Sequence, residues 1–394
     1  MKNNNTTIWR KVKLGTLGLD ISDGNYSSKY PKKSDFVKAG VPFIRADNIK
    51  DGRVVWSDMK YISREKHQEL QKGHLKKNDV LITTRGEIGR IARVGDEFID
   101  SNINAQIVRI NTKGILDQRY FFYFLLGKSR KGYFQSIQTG TALQQLPIGQ
   151  LRLVDLEFPE NLTDQKRIAD ILSAFDDKIE LNNKISRTLE AMAQAIFKEW
   201  FVKFRFPGHE KVKMVDSELG KIPEKWKVKP LGELAQIRYG KDLPTRYLTK
   251  TGFPVYGGNG VIGFSEKYLF DVPKIIVGCR GAFSGNIFRT ENKSFVTHNS
   301  LIVDSDILKI NFLFYCLKNR NVKSTVTGSA QPQITINELN QLEIILPELA
   351  MIKNFEETAS NLNNKIDQIE KENQKLSALR DLLLPKLMSG EIRV

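Results

Sequence analysis

The sequence predicts an α+β fold written twice in one chain. Two small mixed α/β globules are joined by two long helices that pair as an antiparallel coiled coil, with an approximate internal twofold. Three observations predict it. The segment TGTALQQLPIGQLRLVDLEFPE (139–160) recurs as TGSAQPQITINELNQLEIILPE (327–348), in unbroken register from Thr139/Thr327 to Glu160/Glu348. After each copy runs a long segment whose apolar residues recur every three or four positions. Before each copy lie short β-branched runs bounded by Gly, Asp or Asn, as strands are.

The repeat decides the architecture, so it is read first. WRKVKLGTLG starts at Trp9 and WKVKPLGELA at Trp226. Each opens a globule with an aromatic anchor, an extended stretch and an LG turn into a small helix. VLITT, IARV and QIVRI in the first half, and KIIVG and SLIVD in the second, are the expected strands. An aromatic helix comes next in each half, RYFFYFLL (119–126) and INFLFYCL (310–317). The middles differ in length and diverge more than the ends, as expected of one scaffold carrying two different contents.

Residues 163–204 lack proline and glycine, with Thr163 placed to cap the start. Apolar residues follow a 3.5-residue period through Ile168, Leu172, Phe175, Ile179, Leu189, Ala193, Ile196 and Trp200, with Asn182 and Ser186 in the same line. The second stretch repeats the seam in phase: Phe355, Ala359, Leu362, Ile366, Ile369, Asn373, Leu376, Arg380, Leu383 and Leu387. That period signals a coiled-coil seam, in which Asn182, Ser186 and Asn373 fix register at some cost in stability. The alternative is that each helix packs on its own globule. The expected domains are a first globule (1–160), a first helix (161–206), a linker (207–224), a second globule (225–348) and a second helix (349–394).

The chain has 394 residues, enough for two or three domains at roughly 150 residues each. Its formal net charge is +16, from 61 Lys+Arg against 45 Asp+Glu, which points to an acidic partner such as nucleic acid. No apolar run reaches the roughly 20 residues needed to span a membrane, and the polar N-terminus lacks a signal-peptide core. Cys279 and Cys316 form no CxxC pair, which points to a reducing cytosol. His67, His74, His209 and His298 show no metal-ligand spacing, so no metal is expected.

Catalytic motifs are also missing. There is no GxxxxGK[ST] phosphate loop and no [DN]PP[YF] tetrapeptide of adenine methyltransferases. Gly258, Gly260 and Gly263 spell GxGxxG, but the FSEKYLFDVPK beyond them reaches a proline before a helix can form, so a glycine loop that lets the backbone approach DNA closely, or a plain turn, is expected. No catalytic residue is assigned.

The doubled TG[ST]A…PE segment with its long helix resembles the DNA-specificity subunit of type I restriction–modification systems. So do VYGGNGVIGFSEKYL (255–269) and the terminal LRDLLLPKLMSGEIRV (379–394). The similarity covers nearly the whole chain in the family's order: target-recognition domain, helix, target-recognition domain, helix. It implies a non-catalytic, cytoplasmic subunit that reads a bipartite, asymmetric sequence in double-stranded DNA. It also implies that the helices dock two methyltransferase (modification) subunits and that restriction/translocase subunits join them. S-adenosylmethionine, ATP and magnesium are then expected in those partners and none in this chain. The second domain is shorter than the first, and the first lacks the YGGNG loop. Two other readings remain: the specificity subunit of a type II-like restriction system, and a coiled-coil adaptor without DNA specificity.

Base edges are read by Arg at guanine and by Asn or Gln at adenine, while phosphates take Lys, Arg, hydroxyls and amides. Matching turns offer these types. In the first half they are Arg45 and Asn48, then Thr84 and Arg85, then Asn102, Asn104 and Gln106. In the second half they are Asn259, Arg280, His298 and Asn299. Gln144, Gln145, Gln331 and Gln333 lie in the recurrent segment. Each could equally be a solvated loop residue or a turn cap. Arg85 and Arg280 form the strongest pair, as [TC]RG in both halves.

Overall fold

A computed structural model describes residues 8–24, 28–140, 144–328 and 332–394. The first strand of each half pairs with the strand that ends its recurrent segment. Trp9–Lys13 runs antiparallel to Asp155–Pro159, and Lys227–Pro230 antiparallel to Glu343–Leu346. The recurrence therefore closes each globule onto its own beginning.

The central sheets share an order. In the first half Asp20–Asp23, Ile107–Asn111, Val80–Thr83 and Ile91–Arg93 are neighbours, and Gly52–Val54 and Ile49–Lys50 extend the sheet to six strands. In the second, Gln236–Tyr239, Ser300–Asp304, Ile275–Gly278 and Ile287–Arg289 take the same order and stop at four. Each half also has a short parallel pairing, Asn102–Ile103 with Val41–Ile44 and Phe295–Val296 with Phe253–Gly257. The longer first half thus adds two short strands to the common sheet and a short helix, Arg64–Glu69, beside it in sequence.

Strand alternation sorts the core onto two faces. Val80 and Ile82 join the aromatic helix Gln118–Arg130 in one buried cluster, while Leu81 joins Ala92, Ile103 and Ile107 in another. Ile275 and Val277 likewise join Phe312 and Tyr315 of the helix Ile310–Asn319, whereas Ile276 packs with Tyr256 and Val296. These strands are buried on both faces, and so their sequences are apolar throughout rather than alternating.

Two long helices are present, Leu162–Phe197, continued by a π turn over Lys198–Val202, and Leu349–Met388. The first is capped by Asn161 rather than by Thr163, since Asn161 Oδ1 accepts a 2.8 Å hydrogen bond from the Thr163 backbone N–H. Each long helix in turn holds the start of an aromatic helix. Gln165 Oε1 accepts from the Asp117 N–H at 2.9 Å, and Glu356 accepts from the N–H groups of Asn311 and Phe312 at 3.1 and 3.2 Å. These are orphan donors of a helix N-terminus, and the long helices satisfy them.

The expected seam positions are buried or half-buried: Leu172, Phe175, Ile179, Asn182, Leu189 and Ile196 on the first helix, and Leu362, Ile366, Ile369, Asn373, Leu376 and Leu383 on the second. The stripe nevertheless does more than face another helix. Ile168 and Leu172 enter the first globule's core with Leu384 and Leu387, and Ala193 and Phe197 enter the second's with Ile352 and Phe355. Near its end the most buried positions drift from Ile196 and Trp200 to Phe197 and Phe201. A 3.6-residue helix drifts this way against a strict 3.5 repeat, and the π turn accommodates the large rings.

The chain divides into two compact units, Met1–Leu181 with Glu372–Val394, and Asn182–Lys371. Both boundaries fall inside a long helix. Residues 207–224, expected as a linker, hold a 3-10 turn at His209–Lys211 and a hairpin of Met214–Ser217 with Gly220–Pro223. Ile222 is buried there, and the Phe206 ring stacks on Trp226 at 5.2 Å. The segment is thus part of the second unit's core. Its polar, glycine- and proline-bearing composition is that of a linker, and the scattered apolar residues that pack on the core, Val212, Val215 and Ile222, follow no helix or strand period that would say otherwise. Among the described residues no helix is long and apolar enough to cross a membrane.

Candidate nucleic-acid interface

In each half the central strand ends in an arginine–glycine turn tied to the recurrent loop. Val80–Thr83 runs into Thr84, Arg85 and Gly86, and Ile275–Gly278 into Cys279, Arg280 and Gly281. Gly86 and Gly281 have φ of 70° and 67°, a left-handed turn that side chains disfavour. Arg85 forms an antiparallel bridge with Gln145, and Arg280 with Gln333. Thr139 bridges Gln145 as Thr327 bridges Gln333. The Leu146 N–H donates to Thr84 O at 2.9 Å, and the Ile334 N–H to Cys279 O at 3.0 Å. Arg85 Nη2 also donates to Gln145 Oε1 at 3.3 Å.

A third segment joins each cluster. The Thr84 N–H donates to Gln106 O at 2.7 Å, and the Cys279 N–H to Asn299 O at 3.0 Å. Gln106 and Asn299 are therefore structural equivalents, which the unequal lengths of the two halves conceal in the sequence. Arg85, Gln106, Gln144 and Gln145 are exposed in the first unit, and Arg280, Asn299 and Gln333 in the second. Each set presents cationic and amide donors from one edge of a rigid sheet. Exposed Asn259 sits on the neighbouring hairpin, accepting from Asn286 Nδ2 at 3.4 Å. Gln331 lies outside the described residues.

Four candidates are corrected. Asn48 is fully buried; its Oδ1 accepts from the Arg45 N–H and its Nδ2 donates to Ser57 O at 2.7 Å, so it holds a turn. Asn102 is fully buried, with Nδ2 directed to Lys72 O. Asn104 is buried and spends its side chain on Gln106, accepting from its N–H and donating to its Oε1. Thr84 is buried with its hydroxyl on Gln106 O. These residues shape the edge, and Gln106 is what they present. Arg45 is half-buried with Nη2 on Asp58 O at 2.9 Å. His298 is partly exposed, its Nδ1 lying 3.1 Å from Asp242 Oδ1.

Phe283, absent from the sequence candidates, is an exposed ring two residues beyond Gly281 in the second unit's turn. An apolar residue in a glycine-bounded turn directly after the arginine is the signal that marks it. The GxGxxG spelling falls on a β-hairpin, Phe253–Gly257 with Gly260–Ser265, so the helix that a dinucleotide would need is replaced by a strand. Cys279 and Cys316 are buried and free, and burial pushes both thiols up, Cys316 to about 12. Neither is a thiolate nucleophile at neutral pH.

Two sheets with one order, each ending in the same bridged arginine turn, define a doubled recognition scaffold. The type I restriction modification DNA specificity domain matches residues 9–191 and again 223–379. The chain therefore belongs to the type I restriction–modification DNA-specificity family, whose members are non-catalytic specificity subunits. It is 26% identical to the type I restriction enzyme MjaIX specificity subunit of Methanocaldococcus jannaschii over 98% of this chain and 94% of that one. It is 25% identical to the HindI specificity subunit of Haemophilus influenzae, over 98% and 99%. The crystal structure of the S subunit from M. genitalium covers 98% of both chains at a TM-score of 0.57 and 20% identity, a likeness of fold.

Proposed function

We propose that the chain reads a bipartite, asymmetric DNA sequence, one part through each unit's arginine-turn edge. It would dock two methyltransferase subunits, and restriction subunits with them, for adenine methylation or cleavage. The carrying observation is the doubled edge: Arg85–Gln145 and Arg280–Gln333 occupy the same bridged position in two sheets of one order, surrounded by different residues. Identical anchoring with different contents suits two half-sites of different sequence. The net charge of +16 supplies the sequence-independent attraction to phosphates. S-adenosylmethionine, ATP and magnesium belong, on this reading, to the partners, and the complex works in the cytoplasm.

The test is methylome sequencing of the host with and without the chain, and with residues 222–347 exchanged for another member's second recognition domain. The exchange is expected to change one half of the methylated sequence and leave the other. A change in both halves, or in neither, would refute the modular reading.

Arg85→Ala and Arg280→Ala are expected to weaken DNA binding, each in its own half. A lost bidentate contact to guanine costs about 1–3 kcal/mol and relaxes one base position; a lost phosphate contact weakens all sequences alike and lowers the salt slope by about one. Binding isotherms at several salt concentrations separate the two. Unchanged affinity throughout, with folding intact, removes both roles.

The two long helices, on this proposal, pair as an antiparallel coiled coil and set the spacing between half-sites. Contacts within each unit support it. In the first, Asp176 meets Arg380 and Lys178 lies 3.7 Å from Glu372; in the second, the Phe197 and Phe355 rings are 5.5 Å apart. Within the first unit the partner number falls from 380 to 372 as the first helix rises from 176 to 178, the order that antiparallel pairing would give.

A further inference from the structure

We propose that His67, His74 and Asp100, in the first unit, form a binding site for one divalent transition-metal cation of the zinc type. One ligand atom from each lies within 4.8 Å of the others. His67 Nε2 is 3.1 Å from both His74 Nδ1 and Asp100 Oδ1. Nitrogen and oxygen ligands at about 2.0–2.1 Å from a tetrahedral zinc lie roughly 3.3 Å apart, close to both of these separations from His67.

The outer contacts aim two of these atoms at that point. His74 Nε2 is 2.5 Å from Leu70 O. A carbonyl only accepts, so Nε2 carries the proton and Nδ1 turns a lone pair toward His67. Arg64 Nη1 takes Asp100 Oδ2 at 2.5 Å, leaving Oδ1 to face the histidines. Metal-bound histidines and carboxylates are held by such outer partners. Without a cation, one His67 Nε2–H must serve two acceptors at once. With a cation, His67 coordinates through Nε2 and its proton sits on Nδ1. That nitrogen is buried without a hydrogen-bond partner, so neither tautomer gains a bond there. The exchange of tautomer releases no net proton from a neutral ring.

The three ligands come from separate segments. His67 is on the helix Arg64–Glu69, His74 bridges the backbone of Asn102, and Asp100 precedes the strand Asn102–Ile103. That strand leads into Asn104 and Gln106 at the first unit's arginine-turn edge. The cation would staple the edge's supporting segment to the helix, a structural role with no reaction attached. The spacing His67 to His74 with a distant aspartate matches no ligand motif, and so the sequence conceals it.

The experiment uses the full chain without a polyhistidine tag, stripped with EDTA, desalted and titrated with Co²⁺. Expected are one equivalent bound, visible d–d absorption, displacement by Zn²⁺ and a rise in melting temperature. His74→Gln and Asp100→Asn should each weaken uptake by at least about 10-fold; His209→Gln should leave it unchanged. If His74→Gln fails to fold, Asp100→Asn, whose carboxylate is exposed, decides. No uptake by the folded wild-type chain, or uptake indifferent to the substitutions at His74 and Asp100, overturns the site. The outcome is independent of DNA binding.

Discussion

Phe355→Ala is expected to destabilise the second unit by about 3–5 kcal/mol, the range for deleting a buried aromatic ring. Phe355 is 0% exposed at the centre of an aromatic cluster. Its ring lies 5.5 Å from Phe197, 5.4 Å from Phe201, 6.3 Å from Trp200 and 6.0 Å from Tyr315, mostly edge to face. Those neighbours come from both the first long helix with its π turn and the aromatic helix, so no single element can move to fill the void. Each edge-to-face contact adds to simple burial. Only about 5–15 kcal/mol typically separates folded from unfolded, so the loss would be a large share of the unit's stability. Urea unfolding monitored by Trp fluorescence measures it, since Trp200 and Trp226 lie in the same core. A loss below about 1 kcal/mol would show that the cluster repacks, and that it does not join the helices to the globule as described.

Much of this fold is legible in the sequence because repetition is legible. Two copies in unbroken register are enough to locate both globules, both aromatic helices and both long helices. The strands Val80–Thr83 and Ile275–Gly278 read clearly because burial on both faces makes them apolar throughout. What composition hides is direction. Asn48, Asn102 and Asn104 are the residue type that reads adenine, and equally the type that satisfies backbone groups in turns. The structure assigns them the second role and leaves Gln106 exposed. Likewise a 3.5-residue stripe says that a helix face is covered, not by what. Ile168 and Ala193 are covered partly by the globules. His67, His74 and Asp100 meet only because a helix, a turn and a strand end converge, which no local spacing encodes.

Inserting four residues after Lys184 is expected to lengthen the unspecified DNA spacer by one or two base pairs and to leave both half-sites unaltered. The expectation holds if the paired helices are the spacer, as proposed. Lys184 is exposed on an uninterrupted helix, two residues beyond buried Asn182. Four residues add about 6 Å at 1.5 Å per residue and roughly one turn, so the helix beyond the insertion keeps much of its facing. Base pairs rise by about 3.4 Å, so 6 Å approaches two steps. The cost is a local stutter, where the inserted turn departs from the seam's phase. Inserting two residues instead rotates the downstream face by about 200°. The stripe before Lys184, with Leu172 and Ile179, and the stripe after it, with Leu189 and Ala193, would then face opposite ways and could not both stay covered. That variant should bind DNA poorly or fail to fold. Mapping methylated sites in cells carrying each variant reads both outcomes. Should the four-residue variant methylate at the original spacing with full activity, the spacing is not set by this helix and the proposed ruler is wrong.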